Sequence, residues 1–124
     1  IDKAIKTFLG NSEATSLRSV HLMSESAYKT FEISSEGNLV QIFSKKNNID
    51  LLNVPRQSFP DTYVANGYVD VLSTKFIRES ESIHGNRVIP FETNITPEID
   101  NENDFSFLNY LVKENPNIIN QLFY

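Results

Sequence analysis

The chain has no cysteine and no tryptophan, only four glycines, and fewer basic than acidic residues. Without cysteine there is no disulfide framework, no thiolate nucleophile and no Cys-type zinc site, a state compatible with a reducing cytosol. Eleven Lys and Arg against sixteen Asp and Glu leave a net charge of -5. The chain as a whole therefore lacks the positive field that a nucleic-acid backbone requires, and no nucleic-acid partner is expected. No apolar run approaches the roughly 20 residues that cross a bilayer. The opening Ile1-Asp2-Lys3-Ala4-Ile5-Lys6 alternates charge with apolar character where a signal peptide would carry an apolar block. The expectation is a soluble cytoplasmic protein with no membrane partner. A Gly-rich phosphate loop, a Gly-x-Ser-x-Gly elbow, a His-Glu-x-x-His pair and a Cys/His ladder are missing as well.

What is present reads as one folding unit of 124 residues, large enough to bury about two thirds of its unfolded surface but too small for two cores. Ile1, Ile5, Phe8 and Leu9 form the stripe of an amphipathic helix that Gly10-Asn11 stops. That helix has no visible cap at its start, so the chain is expected to continue upstream. Ser19–Met23 reads as a short strand. Tyr28–Ile33 alternates with period two and, through Ser34-Ser35-Glu36-Gly37, turns into Leu39–Phe43 as a β-hairpin. Lys45–Asp50 is a polar loop, and Pro55 and Pro60 bracket an irregular stretch. Gly67–Leu72 resumes a strand, and Ser73 or Thr74 caps a helix carrying Phe76 and Ile77. Arg87–Glu92 is a strand whose Pro90 points to an edge. Asn101–Glu114 is a last helix with Phe105, Leu108, Leu111 and Val112 on one stripe and Pro116 past its end. Strands and helices alternate, the pattern of an α/β fold.

Four places carry more polar constraint than packing needs. In Arg56-Gln57-Ser58-Phe59-Pro60 a guanidinium fork stands in a proline-bracketed loop, suited to a carboxylate or phosphate. In the continuation of the same place, Asn66-Gly67 reads as a turn element that lets backbone approach a ligand. Both features also have plain readings, an ordinary turn and a solvated surface arginine. Glu98 and Asp100, two apart in an extended segment, present carboxylates to one face, where they would share a divalent ion with a phosphate. Glu102 and Asp104 are better explained by the helix dipole. Lys29 falls in the period-two strand, whose lysines are more often exposed than ligand-binding. His21 and His84 lie far apart with no ligand motif around either and receive no role.

The order of these pieces resembles the distal half of the acylneuraminate cytidylyltransferases: Ser19-Val20, Lys29, Arg56-Gln57-x-x-Pro60, Asn66-Gly67, then an Ile-Asp segment with Asp104 four residues beyond Asp100. The resemblance runs from near residue 1 to about residue 113, and the block from Arg56 to Gly67 is its most specific part. It implies the carboxy-terminal portion of a Rossmann-like nucleotide-sugar transferase fold with a β-hairpin dimerisation element. It further implies magnesium-dependent transfer of CMP from CTP to a sialic-acid-like nonulosonic acid, with release of pyrophosphate. Under it Lys29 and Arg56 are catalytic candidates, Arg56, Gln57, Asn66, Gly67 and Asp70 bind the sugar, and Asp100 with Glu98 holds Mg2+. The segment from about Lys29 to Phe59 would be the dimerisation element, and the partners would be CTP, the sugar acid and a second copy of the chain.

Two departures stand against that pattern. Asp70 occupies a position where sialic-acid enzymes commonly carry tyrosine, which points to a pocket for a different nonulosonic acid, and Glu98-Ile99-Asp100 stands where the family often has Asp-Ile-Asp. The amino-terminal half, with the loop that cradles CTP phosphates, lies outside these residues, so the 124-residue chain is expected to be inactive alone. Two alternatives remain open. One is a non-catalytic oligomerisation or carbohydrate-binding module using Arg56, Phe59, Tyr63 and Tyr68. The other is a relative that activates the eight-carbon Kdo sugar.

Overall fold

The structure is a computed structural model that describes residues 1–43, 48–95 and 98–117. Residues 45–47 of the Lys45–Asp50 loop lie outside the described residues, and its end enters the single 3-10 turn Ile49–Leu52. A mixed sheet of three strands organises what is described. Strand β1 (Ser16–Leu22) is its middle, antiparallel to β4 (Tyr63–Leu72) on one side and parallel to β5 (Val88–Glu92) on the other. A separate antiparallel pair, β2 (Phe31–Ile33) and β3 (Leu39–Gln41), makes the expected hairpin. Gly37 turns it at φ +81°, a left-handed conformation that costs a glycine nothing sterically. The mixed α/β class expected from the alternation of elements is present.

Helix α1 (Asp2–Leu9) packs against β1 and β4 through Ala4, which is fully buried. A small side chain at the contact lets the helix backbone approach the sheet closely. Its end at Gly10 keeps right-handed backbone, φ -72°, so the expected stop is met without a left-handed cap. Helix α2 (Thr74–Ser80) starts at Ser73, whose hydroxyl accepts from the Phe76 N–H at 3.2 Å. Helix α3 (Glu102–Glu114) begins with a full capping box. The Asn101 carboxamide accepts from Asn103 and Asp104 N–H, while the Asp104 carboxylate accepts from Asn101 N–H. The four orphan donors that open any helix explain why this arrangement stabilises it. Pro90 sits on β5, an edge strand of the sheet, as its missing N–H requires.

Two expectations are corrected. Lys29 does not lie in a strand: Ala27–Lys29 is a single 3-10 turn, and only Phe31–Ile33 is extended. The Ser26 side chain accepts from the Tyr28 N–H and so caps the turn, a local hydrogen bond that wins over the alternating pattern. Asn66-Gly67 is not a turn between elements but lies inside β4. The first strand also starts earlier than Ser19, at Ser16.

Only two apolar side chains, Ala4 and Leu17, are fully buried among the described residues. Leu17, in the middle strand, is the only large one. Leu17→Ala is expected to cost about 2–5 kcal/mol, at the range seen for buried leucines, and to lower the urea midpoint more than any other apolar truncation in the sheet. Asn101→Ala, which removes the cap of α3, is expected to cost about 1 kcal/mol in the same measurement.

Candidate functional site

Strand β4 is ten residues long and β1 seven, so their pairing must absorb surplus backbone. Ser16, Leu17 and Arg18 pair with Leu72, Val71 and Asp70, whereas Val20, His21 and Leu22 pair with Ala65, Val64 and Tyr63. The surplus lies between these runs, where Asn66–Val69 stands opposite the single residue Ser19. Such a bulge leaves backbone N–H groups without ladder partners. The fully buried Ser19 hydroxyl accepts one of them, from Val69, at 2.9 Å.

Asn66 opens the bulge and is 3% exposed. Its Oδ1 accepts from the Tyr68 N–H at 3.3 Å, an Asx-type turn within the strand. Its Nδ2 lies 2.7 Å from Thr93 Oγ1 and 3.2 Å from His21 Nδ1. Gly67 follows at φ +61°, and a Cβ added there would stand 2.8 Å from Glu98 Oε1. The Glu98 carboxylate therefore lies against the bulge, and the structure brings together Asn66, Gly67 and Glu98, three of the residues singled out in the sequence.

Lys29 and Arg56 form a second group. Lys29 Nζ donates to the Val54 carbonyl at 2.7 Å. In the other direction, Arg56 Nη1 and Nη2 donate to the Ser24 and Met23 carbonyls, each at 2.7 Å. The two cations cross-brace the segment after β1 and the proline-bracketed loop, with Tyr28 stacked on Phe59 beside them, centroids 5.7 Å apart. Both side chains have more N–H groups than these bonds use. Gln57 is exposed in the single 3-10 turn Arg56–Ser58.

Asp70 and Asp100 are placed elsewhere. Asp70 faces Arg18, its cross-strand partner, at 3.7 Å. Because β1 pairs continuously with β5 from Ser16 to Val20, its pleat is regular there. Arg18 thus points to the face opposite Ser19 and His21, and Asp70 goes with Arg18 while Asn66 goes with His21. Asp100 is exposed just before α3, its N–H donating to Asp104 Oδ2 at 3.1 Å. With Ile99, Glu102 and Phe105 it lines an open depression of about 720 Å³.

His21, given no role in the sequence reading, is the residue that reading missed. A lone histidine in a strand carries no local signal; its meeting with Asn66 comes from the pairing of β1 with β4.

No protein-family model matches the chain, and no curated protein does either.

Gly67→Ala is expected to lower stability by about 1–2 kcal/mol through its left-handed backbone, read by urea denaturation. In the Gly67→Ala, Glu98→Ala double variant only the part owed to the crowded carboxylate should return. Full recovery would mean that the backbone conformation at residue 67 carries no strain with a Cβ present.

Proposed function

We propose that the chain is the sugar-side part of a cytidylyltransferase acting on a sialic-acid-like nonulosonic acid, in a longer protein whose amino-terminal half binds CTP. The observation that carries this reading is the β4 bulge: the Arg56-Gln57-x-x-Pro60 block leads into a strand whose Asn66-Gly67 stands against the Glu98 carboxylate. In the reaction the anomeric hydroxyl oxygen of the sugar bonds to the α-phosphorus of CTP. The bond from that phosphorus to the bridging oxygen breaks, pyrophosphate leaves, and the hydroxyl proton passes to solvent or a base.

In this reading Lys29 and Arg56 supply positive charge beside the bulge-bearing strand. Their remaining donors hold the sugar carboxylate or a phosphate oxygen, and fixed donors of this kind stabilise charge that grows as the transition state forms. Gln57, exposed next to Arg56, contributes a further amide to the sugar. Gly67, with no side chain of its own, leaves room for the Glu98 carboxylate to stand beside the bulge, where it can meet a sugar hydroxyl. Asp70 and Arg18 line the other face of the sheet and would contact ligand only from there.

Glu98 and Asp100 offer hard carboxylate oxygens. Among the described residues no three His, Cys, Asp or Glu side chains converge on one point, but magnesium is commonly held by one or two carboxylates with substrate phosphates and water completing its shell. Either carboxylate is of the kind that would hold that ion, which when bound would supply neutralisation of phosphate charge. Asp100, freely exposed beside α3, is the better placed of the two to turn toward a phosphate. Glu98 is already directed at Gly67.

The hairpin segment between Lys29 and Phe59 supports a homodimer contact. Ile33, Leu39, Phe43 and Leu51 are all exposed there, and a second copy would remove such apolar side chains from water. A second reading, a non-catalytic carbohydrate-binding or oligomerisation module, draws on the same exposure together with Tyr63 and Tyr68, 44% and 49% exposed. Among the described residues no helix is long and apolar enough to cross a membrane.

The test is pyrophosphate release from CTP, magnesium and a panel of nonulosonic acids. The longer protein should turn over at least one of them, with a loss of about a hundredfold or more in Arg56→Ala, the scale for losing a charge-stabilising group. Asp100→Ala should raise the magnesium requirement, and the 124-residue chain alone should be silent. A well-folded longer protein that turns over none of the panel would move the conclusion to the binding module.

A further inference from the structure

Asn66 has its two amide hydrogens both committed within the protein. Its Oδ1 faces the Tyr68 N–H, so the amide cannot be flipped without setting two donors against each other. Both Nδ2 hydrogens are then used, one on Thr93 Oγ1 and one on His21 Nδ1. Thr93 can accept because its own hydroxyl hydrogen is directed at the Asn94 carbonyl, 2.8 Å away. Since His21 Nδ1 is the acceptor, a neutral imidazole must carry its hydrogen on Nε2.

Among the described residues Nε2 itself meets no hydrogen-bond partner, and no buried side-chain nitrogen or oxygen is left without one. The Nε2–H group is therefore open to solvent, on the face of β1 that carries the bulge. We propose that His21 is the ligand-facing residue of the site. Its Nε2–H donates to a carboxylate or hydroxyl oxygen of the bound sugar acid, and Asn66 behind it is a positioning residue that fixes the tautomer. The ligand rests on the sugar-acid reading above, whereas the tautomer does not. This differs from a site in which the Asn66 amide itself grips the sugar, because that amide has no hydrogen left to give.

Nitrogen-15 spectra of the imidazole settle the first half: the neutral form of His21 should show a protonated Nε2 and an unprotonated Nδ1. Asn66→Ala should restore a mixture of tautomers, provided its circular dichroism matches the parent. A mixture in the unsubstituted protein would overturn the proposal without any variant. For the second half the probe is N-acetylneuraminate, with its methyl ester to separate carboxylate from hydroxyl recognition. The Nε2 resonance should move on titration, and His21→Phe, which keeps a ring but no donor, should weaken binding roughly 3- to 10-fold, the worth of one hydrogen bond. A shift lost with the ester assigns the carboxylate; a shift retained assigns a hydroxyl. A fixed tautomer with no response to the sugar acid or its ester would overturn the ligand-facing role. Absence of CTP turnover alongside a retained shift would count against the cytidylyltransferase reading alone.

Discussion

The mismatch in length between β1 and β4 is the constraint on which the rest depends. An antiparallel pair with matched ends at Ser16 with Leu72 and Leu22 with Tyr63 has three more residues on β4 than β1 can face. They must leave the ladder, and they leave it opposite Ser19. A residue with an apolar side chain at that point would bury the Val69 N–H without a partner, at about 1–3 kcal/mol. The serine hydroxyl meets it instead. From that one accommodation come the left-handed Gly67, the close approach of Glu98 and the inward turn of Asn66.

Polar bonds do much of the joining elsewhere too. With Leu17 the only large apolar side chain fully buried among the described residues, area burial alone offers little to hold the loops to the sheet. Side chains reaching distant backbone supply the connection. Thr15 Oγ1 and Ser16 Oγ both donate to the His84 carbonyl, at 2.6 and 3.1 Å, tying the segment after α2 to the start of β1. Lys29 and Arg56 tie the next pair of segments in the same manner. The surface ion pairs are lesser contributors: Arg18 with Asp70 is partly exposed, and Arg87 with Glu13 lies in solvent.

Local signals in the sequence were legible where a local interaction decides the outcome. Ser73 and Asn101 read as caps because a hydroxyl or carboxamide is within reach of the next few N–H groups whatever the rest of the chain does. The hairpin read correctly for the same reason, its turn being set by residues beside it. Where long-range pairing decides, the reading failed. Asn-Gly has the chemistry of a turn, and it does adopt turn-like backbone, but the strand continues through it because β1 holds both flanks. Lys29 failed the other way: alternation favoured a strand, and a two-residue hydrogen bond from Ser26 displaced it.

The candidate site divides along the same line. Arg56, Asn66, Gly67 and Glu98 were nameable as polar or conformationally special residues, yet nothing local indicates that Glu98 would stand against Gly67. His21 was beyond reach because its significance lies in the atom opposite it. A buried carboxamide must find partners for one acceptor and two donors, and the strand register permits few. Once Oδ1 is taken by Tyr68 and one hydrogen by Thr93, the remaining hydrogen needs an acceptor on the Ser19 face of β1, where the next side chain along the pleat is His21. An aliphatic residue there would leave an N–H buried and unpaired, and a lysine would present a second donor. The histidine thus meets a demand that originates in the bulge.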